Sequence, residues 1–124
     1  MAVKNDLAEI ERDVGAMSMF LQCGEYTVKD LRGRHQDLKQ LIDQLADLQS
    51  ENEDWLENNV GGTRKYAKVE EETGAMEDAE IALGEAEDEF LSMLSAKEFA
   101  NYNPTEIICC LDRACEYLTE AMEV

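Results

Sequence analysis

The chain has 124 residues and carries 29 Asp and Glu against 11 Lys and Arg, which gives a formal net charge of −18. This balance argues against direct binding to DNA, RNA or an anionic membrane, because affinity for phosphates requires clustered Lys and Arg. Hydrophobic residues make up 44% of the chain, which is too many for a disordered acidic tail. The length suits one domain with a core of its own.

The N-terminal sequence and the cysteines bear on the compartment. No apolar h-region follows Met1, so we expect no secretory signal peptide of the usual form, and no apolar stretch is long enough to span a membrane. Three of the four cysteines, Cys109, Cys110 and Cys115, crowd into seven residues, which is a poor framework for disulfides. We therefore expect small buried thiols, Cys23 included, in a protein of the reducing cytoplasm.

The first predicted helix covers residues 3–23. Apolar residues from Val3 to Leu21 recur at alternating spacings of four and three, the heptad pattern that is typical of coiled coils. Gly24 follows as a C-terminal stop, which supports a helix end at that point.

The second predicted helix covers residues 28–57. Thr27 is its expected N-cap, and a leucine-rich apolar face continues along its length. Arg34 and His35 occupy a place where that face requires an apolar residue. We interpret this pair as a local polar defect in an otherwise regular amphipathic helix.

The third predicted helix covers residues 64–95. The Asn- and Gly-rich segment 58–62 predicts a turn before it, and Thr63 is its expected N-cap. Its apolar seam repeats every seven residues, at Val69, Met76, Leu83 and Phe90.

The fourth predicted helix covers residues 104–122. Asn103 is the expected cap, Pro104 takes the first helical position, and Glu106 stands three residues after the cap, as in a capping box.

Together these elements predict an all-α fold: an elongated antiparallel bundle of about four helices in a single domain over residues 1–124. The second and third helices, at about 30 residues each, are roughly 45 Å long and form a central hairpin. We expect the tip of this hairpin between Trp55 and Tyr66.

The negative charge is distributed unevenly along the chain. Residues 1–49 hold nine acidic and six basic side chains, whereas residues 50–124 hold 20 acidic and five basic ones. Residues 70–89 contain ten Asp and Glu and no Lys or Arg. On a helix this is one charge per about 3 Å of axis, close to the spacing of about 3.4 Å between phosphates of one DNA strand.

This acidic helix is the first candidate binding site. A solvated helix face is the common explanation of a charge run, but a sequence selected only for solubility would intersperse Lys. If Val69 and the residues at its heptad spacing form the buried seam, the carboxylates lie mainly on the outer surface of the helix. The candidate partner-binding carboxylates are Glu70, Glu71, Glu77, Asp78, Glu80, Glu85, Asp88 and Glu89.

In composition and size the chain resembles phage-encoded inhibitors of restriction enzymes and of CRISPR complexes. That resemblance implies a DNA mimic: a non-enzymatic protein that blocks a basic nucleic-acid-binding partner through its negative face. No metal or other cofactor is expected. The hypothesis explains why the carboxylates are concentrated on one helix.

The predicted hairpin tip is the second candidate site. Trp55 and Tyr66 flank the turn beside Arg64 and Lys65, and Trp, Tyr and Arg are the residue types that commonly anchor interfaces. The competing interpretation is that Trp55 simply ends the core of the second helix.

Two other functions remain open. A helical adaptor or chaperone, possibly a homodimer, would bind through its apolar heptad seams. The chain also resembles the all-α nucleotide pyrophosphohydrolases in size, and Glu77-x-x-Glu80 and Glu85-x-x-Asp88 match their magnesium-binding motifs. That family places its motifs on two facing helices, whereas these are consecutive on one helix.

Overall fold

A computed structural model describes residues 3–96 and 102–124, and within them the prediction of an all-α bundle is confirmed. Four α-helices and no strand occur in this described part. Their bounds are α1 Val3–Cys23, α2 Val28–Glu57, α3 Arg64–Leu94 and α4 Thr105–Glu123. The predicted seam position of the Val3 side chain lies outside the described part.

Thr27 and Thr63 cap the N-terminal ends of α2 and α3, as the sequence predicted. The Thr27 hydroxyl accepts a hydrogen bond from the Asp30 backbone N–H at 3.2 Å, and the Asp30 carboxylate accepts one from the Thr27 N–H at 3.0 Å. This reciprocal pair is a capping box. The backbone N–H of Thr27, followed by its hydroxyl, lowers the pKa of Asp30. Thr63 caps α3 by accepting from the Tyr66 N–H at 3.0 Å.

The start of α4 differs slightly from the prediction. The helix begins at Thr105, so Pro104 is its cap residue and not its first helical residue. Asn103 still serves the helix start, because its Oδ1 atom accepts a hydrogen bond from the Thr105 N–H at 3.0 Å. The prediction placed the cap one residue too early because proline is most common at the first helical position, whereas here Pro104 is itself the cap residue.

The heptad seams meet in one hydrophobic core. Of its residues, Leu38 on α2 and Leu83 on α3 are fully buried, as are Leu7 on α1 and Leu111 on α4. The apolar seam residues, which could also have bound a partner, therefore pack against one another inside the bundle.

Small side chains line the buried faces of α3 and α4. These two helices share the most extensive contact in the bundle, and of the four neighbouring pairs α1 and α2 share the least extensive one. Buried alanines allow a short distance between helix axes. They lie on α3 at positions 75, 79, 82 and 86, and on α4 at positions 114 and 121.

The buried face of α2 also carries polar side chains. His35, predicted as a defect on the apolar face, is buried, and its ring lies 6.3 Å from that of Phe90. Gln49 and Asn52 are buried on the same helix. Nε2 of His35 and Oδ1 of Asn52 have no hydrogen-bond partner among the described residues.

Candidate functional site

The carboxylates of α3 fall into two groups that differ in exposure. Six are exposed, and we call them the acidic face: Glu70, Glu71, Glu77, Asp78, Glu85 and Asp88. From Glu70 to Asp88 this face extends about 27 Å along the helix. It comprises the residues that the seam positions predicted to lie outside.

The other four, Glu72, Glu80, Glu87 and Glu89, are half-buried, and three of them accept hydrogen bonds within the chain. Glu72 accepts a hydrogen bond from the Asn52 amide at 2.8 Å, and Glu80 accepts one from the Gln49 amide. Glu89 accepts from the Tyr102 hydroxyl at 3.0 Å. Glu80 and Glu89, both predicted as partner-binding residues, therefore lie at the edges of α3 and contact their own chain.

The surroundings of the Tyr102 phenol change its pKa. Partial burial of the phenol, and then its donation to the Glu89 carboxylate, raise the pKa of Tyr102. Both causes disfavour the phenolate: burial removes water from it, and the carboxylate repels it. The hydrogen bond holds the Glu89 carboxylate against the Tyr102 hydroxyl.

One cation partly neutralises the acidic face. Arg113 of α4 lies with a guanidinium nitrogen 3.4 Å from the Glu85 carboxylate, and both side chains are about half exposed. Such an exposed pair contributes at most about 1 kcal/mol to stability. The negative surface nevertheless continues onto α4, because Glu120 shares a crevice with Glu71 and Asp78.

An exposed apolar side chain lies within the acidic face. Ile81 follows Asp78 by three residues and precedes Glu85 by four, so the three share one stripe of the helix. Its exposed fraction is 58%, whereas the seam residue Leu83 is fully buried. Ile81 was not among the predicted site residues; the signal that could have indicated it was an isoleucine outside the heptad seam in a highly charged segment.

The hairpin tip brings together the aromatic residues that the sequence proposed. The rings of Trp55 and Tyr66 lie 6.2 Å apart at an angle of 40°, and the Lys65 ammonium is 5.2 Å from the centre of the Trp55 ring. Both rings are half-buried. Val60, in the turn, is 81% exposed. The tip is thus a small aromatic cluster with the Lys65 ammonium group beside it.

The paired acidic motifs on α3 do not converge on one point. Glu80 contacts α2 through Gln49, whereas Glu85 contacts α4 through Arg113. Within residues 3–96 and 102–124, no group of three or more His, Cys, Asp or Glu side chains is arranged to hold a metal ion.

The expectation of four buried thiols is wrong for two of them. Cys23 and Cys109 are exposed, Cys110 is buried and Cys115 is half-buried, and all four are free. Cys23 is the last residue of α1, and Cys109 precedes the core-facing Cys110 by one residue and therefore lies on a different face of α4. Burial raises the pKa of Cys110, and it raises the pKa of Cys115 to about 11.

The fold and these surfaces define an all-α four-helix bundle with an acidic face on its third helix. None of its described helices has the length and apolar character needed to cross a membrane. No protein family, curated protein or solved structure compared with this chain matches it.

Proposed function

We propose that this chain is a non-enzymatic binding protein of the cytoplasm, whose acidic face occupies the basic groove of a nucleic-acid-binding partner and blocks its access to nucleic acid. The observation that supports this proposal is the acidic face itself. Its six exposed carboxylates lie on one helix, in a stretch from Glu70 to Glu89 without Lys or Arg.

The physical basis is substitution of carboxylates for phosphates. Lys and Arg side chains placed to contact a phosphate backbone would meet carboxylates at a similar linear spacing. The α3 helix is held by its packing against α2 and α4, so the backbone that carries the carboxylates is positioned before binding and need not be ordered on binding. Association of such charged surfaces is fast and falls with ionic strength.

Ile81 adds a contact that salt does not screen. Lys and Arg carry apolar stems below their charged groups, and these stems pack on apolar surface. An exposed isoleucine between Asp78 and Glu85 offers such a surface. We therefore expect Ile81→Ser to weaken binding at every salt concentration, while charge variants act mainly at low salt.

The test is capture of partners from the native host by the immobilised chain. We expect nucleic-acid-binding proteins to be retained at about 0.05 M NaCl and released by about 0.5 M, since salt screens exposed charges. Added duplex DNA should displace them. Retention that depends neither on salt concentration nor on added DNA would contradict the proposal.

Two matched variants distinguish the acidic face from overall charge. The first replaces Glu77, Asp78, Glu85 and Asp88 with Lys. The second replaces Glu25, Asp43, Glu51 and Glu53 with Lys; these four are also exposed but lie outside α3, and the net charge changes by the same amount. We expect the first variant to lose capture and the second to retain it. Equal losses would show that only the net charge matters.

The adaptor alternative makes a different prediction. A homodimer would be seen by sedimentation of the purified chain, and charge reversals on α3 would leave its function intact. Because Leu38 and Leu83 are buried in the core, their replacement by Asp would unfold the monomer and would not report on a partner.

A further inference from the structure

One end of the bundle consists of two helices only. Asp6, in the first turn of α1, shares a crevice with Leu48 of α2, so α1 begins near the level of Leu48. Val124, which follows α4, shares a crevice with Glu71 and Gly74 of α3. Of the described helices, only α2 and α3 continue beyond this level. We call their continuation, residues 53–69, the outer hairpin.

The buried face of α2 ends in polar residues just before the outer hairpin. Leu31, Leu38 and Leu45 recur every seven residues, and Asn52 takes the next position of this series. Asn52 is fully buried, and Gln49, almost one turn before it, is 7% exposed. All residues of α2 beyond Asn52 are exposed or half-buried. The apolar contacts that hold α2 in the core therefore stop short of the outer hairpin.

These two amides face polar groups of α3. The Asn52 amide nitrogen donates a hydrogen bond to the Glu72 carboxylate at 2.8 Å. The Gln49 amide donates one to Glu80. The hydroxyl of Thr73, which is buried, donates at 2.7 Å to a carbonyl of its own helix. Oδ1 of Asn52 has no hydrogen-bond partner among the described residues. We call Gln49, Asn52, Glu72, Thr73 and Glu80 the polar layer.

Few contacts hold the outer hairpin together beyond the polar layer. The rings of Trp55 and Tyr66 lie 6.2 Å apart, and both are half-buried. Val69 is buried but lies apart from the main core cluster, and residues 57–65 are all exposed. Helical segments as short as those of the outer hairpin are not stable alone in water. Its structure therefore depends on the few contacts between its two helices.

The polar layer lowers the free energy needed to separate the two helices at this point. When they separate, water replaces the amide and carboxylate as hydrogen-bond partners, and the buried Oδ1 of Asn52 gains a partner. A leucine at the same position would instead expose apolar surface to water, which is unfavourable. Opening is thus easier in the outer hairpin than in the apolar core.

We propose that the outer hairpin opens as one cooperative unit while the four-helix core stays folded, and that the polar layer is the boundary at which this opening stops. In the open state Trp55 and Tyr66 separate, which exposes both rings to solvent. Segments that open below the global free energy of unfolding are those from which binding elements are commonly drawn. The inference does not depend on the acidic face of α3.

Native-state hydrogen exchange of the full chain, read by NMR in a series of urea concentrations below the unfolding transition, tests the proposal. The reporter amides are residues 54–57 and 67–69 in the outer hairpin, and Leu38 and Leu83 in the core. We expect the outer amides to share one protection factor, at least about a hundredfold below that of the core amides. They should also depend less on urea, because local opening exposes less surface. Outer amides that exchange only with global unfolding would overturn the proposal.

Trp55→Ala distinguishes cooperative opening from separate fraying of the two helix ends. It removes the ring contact with Tyr66, so the protection factors at 54–57 and at 67–69 should fall together, by at least about fivefold, while those of the core stay unchanged. Val60→Ala is the matched control, because Val60 is 81% exposed in the turn and should change neither group. An effect of Trp55→Ala confined to α2 would mean independent fraying and would contradict the proposal.

Asn52→Leu tests the boundary itself. Leucine continues the heptad series and removes the unpaired oxygen, so protection in the outer hairpin should rise at least about tenfold. Gln49→Leu should act in the same direction. His35→Leu is the matched control, because it replaces another buried polar side chain of α2, beside Phe90 and far from the outer hairpin. If neither Asn52→Leu nor Gln49→Leu raises this protection, or if His35→Leu raises it equally, the polar layer is not the boundary.

Discussion

Replacing His35 with leucine should stabilise the protein. His35 lies between Leu31 and Leu38 on the core side of α2, with an exposed fraction of 8%. Its Nε2 atom has no hydrogen-bond partner among the described residues. A buried polar atom without a partner costs about 1 to 3 kcal/mol, and leucine removes that atom while filling a similar volume beside Phe90. We expect the free energy of unfolding to rise by about 1 to 2 kcal/mol.

Urea unfolding followed by circular dichroism at 222 nm measures this change. For a chain of this length an increase of 1 kcal/mol corresponds to a rise in Tm of about 4 °C. His35→Ala is the control, because it removes the same nitrogen but leaves a cavity against Phe90. It should therefore be less stable than His35→Leu by about 2 kcal/mol. A free energy of unfolding for His35→Leu below that of the wild type would refute the reasoning and show that the imidazole makes a stabilising contact.

Further experiments test the helix caps, the thiols and the acidic face. Thr27→Ala removes the capping box of α2 and should lower the free energy of unfolding by about 1 kcal/mol in the same urea assay, since its hydroxyl accepts the Asp30 N–H. Alkylation at pH 8, read by peptide mass spectrometry, should label Cys23 and Cys109 first. Because burial raises the pKa of Cys115 to about 11, its labelling should grow about tenfold per pH unit up to that pH. The same shift should lower stability as pH rises above about 9, since the thiol ionises there only in the unfolded chain. Arg113→Gln should change the free energy of unfolding by less than about 0.5 kcal/mol, because its ion pair is half exposed. It should strengthen capture of a basic partner, and weaker capture would contradict the proposed role of the acidic face.

The helices were predictable because their signals are local. The heptad spacing and the Thr27 and Thr63 caps each depend on residues within a few positions of one another, and the structure places the helix bounds within one residue of the prediction. The end of α3 and both ends of α4 each differ from the prediction by one residue, and at the start of α4 the prediction had taken Pro104 as the first helical residue, where proline is common.

The candidate site was predictable only in part. Seam positions correctly separated exposed carboxylates such as Glu77 and Asp78 from the core. They did not show that Glu80 contacts Gln49 or that Glu89 contacts Tyr102, because each partner is distant in sequence and its position depends on how the helices pack.

The sequence alone thus determined that this is an acidic four-helix bundle with its charge concentrated on the third helix. Periodicity and composition are properties of the chain and do not require knowledge of its neighbours. Only the tertiary structure decided that His35 is buried beside Phe90 and that Glu80 and Glu89 contact Gln49 and Tyr102. These contacts depend on which side chains of neighbouring elements meet once the chain has folded, and no pattern within one helix specifies that.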